Sequence, residues 1–182
     1  MNFSGLPVLE HGTVILRPIE ASDIDSWYRY LCLPHVLQHT SWEVRSPDEL
    51  RHHIWNSETF SVSSHLRFAI ALKSNSQLVG TAGFHTISAH HRSAELAYDL
   101  DPEVWGQGIA TTVTKELVRW AHSCASVIRL QAAALESNIP SIKVLERCGF
   151  EREGFLRSYR IVRGTPRNFY LYSHVAIVPS AA

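Results

Sequence analysis

The sequence predicts a mixed α+β domain built around one sheet. Three observations lead there. The apolar pattern alternates between a two-residue and a helical repeat, in the order strand, two helices, three strands, helix, strand, helix, two strands. A glycine-containing stretch, Asp101 to Thr111, lies between an alternating strand run and an amphipathic helical run. The chain has 182 residues, 45% apolar and 19% charged, a soluble globular composition long enough to bury a sizeable core.

The elements follow in order. Residues 1–12 read as a flexible lead-in, 13–178 as one domain and 179–182 as a tail. Thr13 to Ile19 is a strand with Val14, Ile15 and Leu16, ended by Pro18. Ser22 is placed to cap a helix whose face is Ile24, Trp27, Tyr28 and Leu31, with Pro34 stopping it. Ser46-Pro47-Asp48-Glu49 has the form of a capping box and starts a second helix with Leu50, His53, Ile54 and Ser57 on one face. These helices, with Trp27, Trp42 and Trp55, would wall one side of a cleft.

Leu66 to Leu72 and Leu78 to Phe84 are two strands joined by a short turn-forming link, an antiparallel hairpin. Gly80 and Gly83 inside the second strand point to a bulge or a close backbone approach. His85 to Arg92 reads as a polar loop. Ala94 to Leu100 alternates as the central strand, and Val113 to Cys124 repeats as a helix. Val127 to Ala134 is a buried strand, Glu136-Ser137-Asn138 a turn, and Pro140 to Cys148 a short helix ended by Gly149 in a left-handed conformation. Two closing strands, Phe155 to Val162 and Phe169 to Val178, flank the turn Arg163-Gly164-Thr165-Pro166.

Composition narrows the function classes. Formal net charge is zero and Lys and Arg form no dense block, whereas nucleic-acid affinity normally rests on a basic patch, so no nucleic-acid partner is expected. Three widely spaced cysteines without a C-x-x-C pair fit free thiols in a reducing compartment. No signal peptide is recognisable and no apolar run approaches a membrane span, so a cytoplasmic protein is expected. Exposed edges on the closing strands would allow a homodimer. His35 and His39 lie four apart and His90 and His91 are adjacent, but neither pair has further ligands at useful spacing, and no metal is expected.

A strand that empties through glycines into a helix start presents free backbone N–H groups at the positive end of a helix dipole, a site for an anion such as phosphate. The chain as a whole resembles the GNAT family of acyltransferases, and within it the branch of ribosomal-protein N-terminal acetyltransferases. The resemblance rests on Leu16-Arg17-Pro18, on Gly80 to Phe84, on Ala94 to Tyr98, on Pro102 to Thr111, on Asn138 to Phe150 and on Glu153 to Arg157, in the family's order. It implies a mixed, mostly antiparallel central sheet flanked by helices, and acetyl-CoA as co-substrate.

It also implies residue roles. Trp105, Gly106, Gln107, Gly108, Ile109, Ala110 and Thr111 would cradle the pyrophosphate. Asp99, Leu100 and Val104 would offer backbone groups to the pantetheine arm, Asn138 would contact that arm, and Ser141 would lie near the thioester sulfur. The acceptor would be a protein N-terminal amine. A small amine, or a CoA-binding protein without turnover, are the competing readings.

The chemistry adds its own demands. Transfer to an amine needs a proton acceptor, an oxyanion donor such as a backbone N–H of the central strand, and a proton for the departing thiolate. Glu95 is the first candidate base, with an ion-paired strand carboxylate as the alternative. Ser141 is the candidate acid by the family resemblance, with a helix N-terminal Ser that only caps or packs as its alternative. Tyr159, Tyr170 and Tyr172 are other proton donors, and His85 and His174 would border the acceptor pocket. The chain departs from the branch it resembles at Asn168, where an Asp is usual before the last strand, and at Ala97 and Asp99, where a Gly and an aromatic are common, all near the expected acceptor site.

Overall fold

A computed structural model describes residues 5–54 and 65–177. Among the described residues there are seven strands: β1 Val14–Pro18, β2 Leu66–Leu72, β3 Leu78–Ser88, β4 Ser93–Leu100, β5 Arg129–Leu135, β6 Glu151–Val162 and β7 Thr165–Val175. They form one sheet in the order β1-β2-β3-β4-β5-β7-β6. Every neighbouring pair is antiparallel except β4 and β5, which run parallel and pair only from Ser93–Arg129 to Glu95–Gln131. Past that point the two central strands separate, and this opening positions the site.

Helices cover both faces. On one, α3 (Ile109–Ser123) and α4 (Ile139–Arg147) pack on the sheet. Val113, Leu117 and Trp120 recur at helical spacing and are buried against Phe68, Ile70 and Phe84. The Trp120 and Phe68 rings meet edge to face at 5.8 Å. Burying Leu117 or Phe68, both fully enclosed, contributes about 1.5–3 kcal/mol each. On the other face, α1 (Ile24–Leu31), α2 (Pro34–Leu37) and a 3-10 helix, Pro47–His53, bury Ile24, Trp27, Leu31 and Leu50 against Ala69 and Leu78. Strand alternation explains the division, since Ala69 points opposite to Phe68 and Ile70.

Gly83 answers the close approach expected of it. A Cβ there would sit 2.0 Å from the Leu66 carbonyl oxygen, so any side chain would force β2 and β3 apart. The register shift between Ile70 and Ala71, opposite Gly80 and Leu78, supplies the bulge.

Several local expectations are corrected. Ser22 does not cap α1; it lies in a 3-10 turn, Ala21–Asp23, where the Asp23 carboxylate accepts the Glu20 N–H at 2.8 Å. Pro34 does not stop α1 but opens α2, because its missing N–H is harmless in a first turn. The Ser46 side chain makes no cap bond, and the element after it is 3-10 rather than α; Glu49 instead accepts the Arg45 N–H. β3 runs on to Ser88, shortening the polar loop. The last hairpin turns on Arg163 and Gly164 alone, both at positive φ, with Thr165 and Pro166 already in β7. Trp55, Ser57, Val178 and the residues 179–182 lie outside the described residues.

Candidate active site

Two cavities flank the opening between β4 and β5. One, of about 470 Å³, follows the loop into α3; the other, of about 310 Å³, runs under the segment 39–42 that follows α2 and under His53 at the end of the 3-10 helix. They share six residues: His39, Thr40, Tyr98, Asp99, Asn138 and Ser141. A donor entering from one side and an acceptor from the other would meet there.

The first cavity has the features an anion site requires. Gly106 and Gly108 have φ of 75° and 78°, and a Cβ on either would meet no protein atom within 4 Å. Backbone, not side chain, therefore faces the space, and a left-handed glycine sets α3 going without a capping side chain. The N–H groups of the first turn are left for a ligand. Lys143 and Arg147 of α4 also line this cavity, adding positive charge that the loop motif does not reveal. Residues 99, 100, 104–106, 108–111, 138 and 141 all line it; Gln107 does not, its amide turning back to the Glu103 carbonyl at 3.3 Å. Trp105 ties its indole N–H to the Leu100 carbonyl at 3.0 Å, so that carbonyl is already engaged. Beyond Glu95, β4 has no strand partner on its β5 side, which leaves backbone groups there for an extended ligand.

At the junction, the Tyr98 hydroxyl and Ser141 Oγ are 2.8 Å apart. Burial pushes the Tyr98 phenol up to about 12. Asn138 caps α4, its Oδ1 accepting the Ser141 N–H at 3.1 Å while its Nδ2 donates to the His39 carbonyl at 3.2 Å. Asn138 therefore fixes Ser141 and ties α4 to the helical wall. Burial lowers the pKa of His39.

The second cavity holds Glu95, whose side chain is buried. Its Oε1 accepts from Arg160 Nη2 at 3.0 Å and lies 3.5 Å from His85 Nε2; its Oε2 accepts from Gln131 at 3.3 Å. Arg160 also donates to Ser41 Oγ at 3.2 Å and lies over the Phe169 ring. Burial lowers the His85 pKa, and the Glu95 charge works against that fall. Asp99, buried behind, accepts from Trp27 Nε1 at 3.1 Å, Thr81 Oγ1 at 2.8 Å, the Tyr30 hydroxyl and Arg67. The Arg67 guanidinium sits over the rings of Trp27 and Trp42. Burial, then the Asp99 charge, pushes Tyr30 well above its ordinary pKa. Both carboxylates of the cleft thus face an arginine.

Sequence reasoning missed Tyr98, Arg67 and Arg160. Tyr98 read as one apolar member of an alternating strand, and the arginines come from β2 and β6, far along the chain. Tyr159, Tyr170 and Tyr172 line neither cavity; the Tyr172 hydroxyl donates to Glu146 at 3.2 Å. His85 lines the second cavity, but His174 lines neither and instead bonds His122 at 2.9 Å. Asn168 is also away from the cleft: it holds Glu136 and accepts the Ser158 N–H at 2.9 Å. Ala97 does line it.

Parallel strands that part beside a helix start, with space on either side, are the arrangement of an enzyme that passes an acyl group from a nucleotide-tailed thioester to a nucleophile. Residues 13–151 match the acetyltransferase (GNAT) domain, and the chain belongs to that family. It is an acetyl-CoA-dependent N-acetyltransferase. It is 30% identical over 173 residues to the uncharacterized N-acetyltransferase YoaA of Bacillus subtilis (strain 168), covering 93% of this chain and 97% of that protein. The fold matches the ribosomal-protein-S5-alanine acetyltransferase of Vibrio fischeri with TM-score 0.80 at 22% identity, over 91% of this chain and 94% of that one. It also matches spermidine N-acetyltransferase from Vibrio cholerae, solved with CoA and spermine, with TM-score 0.77 at 21% identity, over 89% and 95%.

Proposed function

We propose that the acceptor is the N-terminal amine of a peptide or protein rather than a polyamine. The observation that carries this reading is the state of the acceptor-side carboxylates. A polyamine is recognised along its length by acidic groups free to meet each ammonium. Here Glu95 is opposed by Arg160 and Asp99 by Arg67, so a polycation would meet charges already balanced. A peptide brings one amine, followed by carbonyl oxygens for which guanidinium N–H groups are suitable donors. Both a ribosomal-protein and a spermidine enzyme share the fold, so the fold does not choose between these acceptors.

The transfer is assigned as follows. The amine nitrogen attacks the thioester carbonyl carbon at the junction, the C–S bond breaks, and the thiolate receives a proton through Ser141, backed by Tyr98. The amine's surplus proton leaves by water to Glu95. That relay is required by distance: Glu95 and Tyr98 are three residues apart on β4, about 10 Å at a rise of about 3.3 Å per residue. An α-amino group, with a pKa of about 8, is partly neutral already and tolerates an indirect base better than a lysine at about 10.4.

The test is mass spectrometry of a peptide carrying one free N-terminus and one lysine after incubation with acetyl-CoA. The reading expects the acetyl group on the α-nitrogen. Acetylation confined to the lysine would refute it. The competing small-amine reading draws support from the modest size of the acceptor cavity, and free alanine in the same assay addresses it.

A further inference from the structure

We infer that His52, His53 and His65 form a binding site for a divalent transition-metal ion, Zn²⁺ by the chemistry of its donors, beside the acceptor cavity. The sequence argument against a metal weighed the pairs His35–His39 and His90–His91. The fold assembles a different set: two histidines end the 3-10 helix Pro47–His53, and the third precedes β2.

One ring nitrogen from each of the three lies within 4.8 Å of the others. The rings of His52 and His53 are 3.9 Å apart between centroids, and that of His65 is 5.6 and 5.3 Å from them. Zn–N bonds of about 2.0–2.1 Å in a tetrahedral site put ligand nitrogens roughly 3.3 Å apart. Ring rotations on the order of 1–2 Å close the set. A second observation points the same way: His53 Nδ1 is buried and has no hydrogen-bond partner. A buried polar atom left unmatched is costly, and a metal bond or a tautomer turned toward a ligand removes the cost.

Three imidazoles and no thiolate suit Zn²⁺, Ni²⁺ or Cu²⁺ over Mg²⁺ or Ca²⁺. The nearby positive charge of Arg67 is balanced by Asp99. Three ligands leave a fourth position for water or a substrate group. His53 itself lines the acceptor cavity, its ring tilted against that of Trp27 at 5.3 Å and edge-on to that of Trp42 at 6.2 Å. A metal here would tie the helical wall to the start of β2 at the edge of that cavity. The inference does not depend on the acceptor's identity.

The test uses the untagged full chain, stripped with chelator. Zn²⁺ is titrated by calorimetry and Co²⁺ by visible absorption, for wild type, His52→Ala, His65→Ala, His65→Gln and a His90→Ala/His91→Ala control, each checked for folding by circular dichroism. The expected result is one equivalent bound, a tetrahedral Co²⁺ spectrum, and affinity weakened more than about tenfold by each folded His52 or His65 variant but unchanged in the control. Absence of saturable one-equivalent binding to the wild type would overturn the site. So would binding that the His52 and His65 variants retain in full.

Discussion

The hydroxyls of Tyr98 and Ser141 bond each other at 2.8 Å, one from the strand that opens the sheet and one from the first turn of α4. They lie where the two cavities meet. Ser141→Ala and Tyr98→Phe should each lower kcat by at least about 100-fold while leaving the KM for acetyl-CoA nearly unchanged. Combined, they should cost little more than either alone, because both interrupt one relay. Burial holds the Tyr98 proton to about pH 12, so kcat should not fall through about pH 10, where an ordinary tyrosine ionises. Steady-state rates of thiol release against pH check both points; loss of acetyl-CoA affinity without loss of kcat would make the pair a binding element only.

Gly108 combines positive φ with open space where a Cβ would go. Gly108→Val places a β-branched residue in a left-handed conformation, at a strain of about 1–3 kcal/mol, and projects it into the anion cradle. Acetyl-CoA binding measured by calorimetry should drop below detection in a protein that still folds. An unchanged affinity would mean that the pyrophosphate binds elsewhere.

Glu95 presents a different signature. If it receives the amine's proton through water, Glu95→Gln should slow turnover most at low pH. The deficit should shrink as pH rises through the amine's own pKa, about 8 for an α-amino group. A wild-type to variant ratio that stays flat with pH would leave Glu95 only the structural role its bond to Arg160 gives it.

Asp99 is the anchor of the helical wall. Its side chain is 4% exposed and that of Arg67 14%. Asp99→Ala strands Arg67, Tyr30 and Trp27 without their acceptor, and breaking a buried pair from one side costs about 3–5 kcal/mol. Urea unfolding should show that loss in ΔG, with Gly108→Val as the comparison variant that leaves this network intact.

Much of this was legible in the chain. β4 announces itself by alternation, β2 and β3 by the turn-forming link between them, the loop by its glycines, and α4 by Pro140 and Gly149, all of which act over a few residues. What stayed hidden is what depends on distance in space. Arg160 reaches Glu95 from 65 positions away, and Arg67 reaches Asp99 from 32. No periodicity encodes such meetings. Single-residue capping also misled at Ser22 and Ser46, because other side chains hold those turns: Asp23 accepts the Glu20 N–H and Glu49 accepts the Arg45 N–H. The opening between β4 and β5 belongs to neither strand alone, so Tyr98 could be read as core.

The choice of acceptor is tested most directly by kcat/KM for thiol release with acetyl-CoA and two acceptors side by side, a short peptide with a free N-terminal alanine or serine and spermidine. Because each acceptor-side carboxylate is opposed by an arginine, the peptide should be preferred by at least tenfold, roughly 1.4 kcal/mol. Equal rates, or a preference for spermidine, would contradict the assignment.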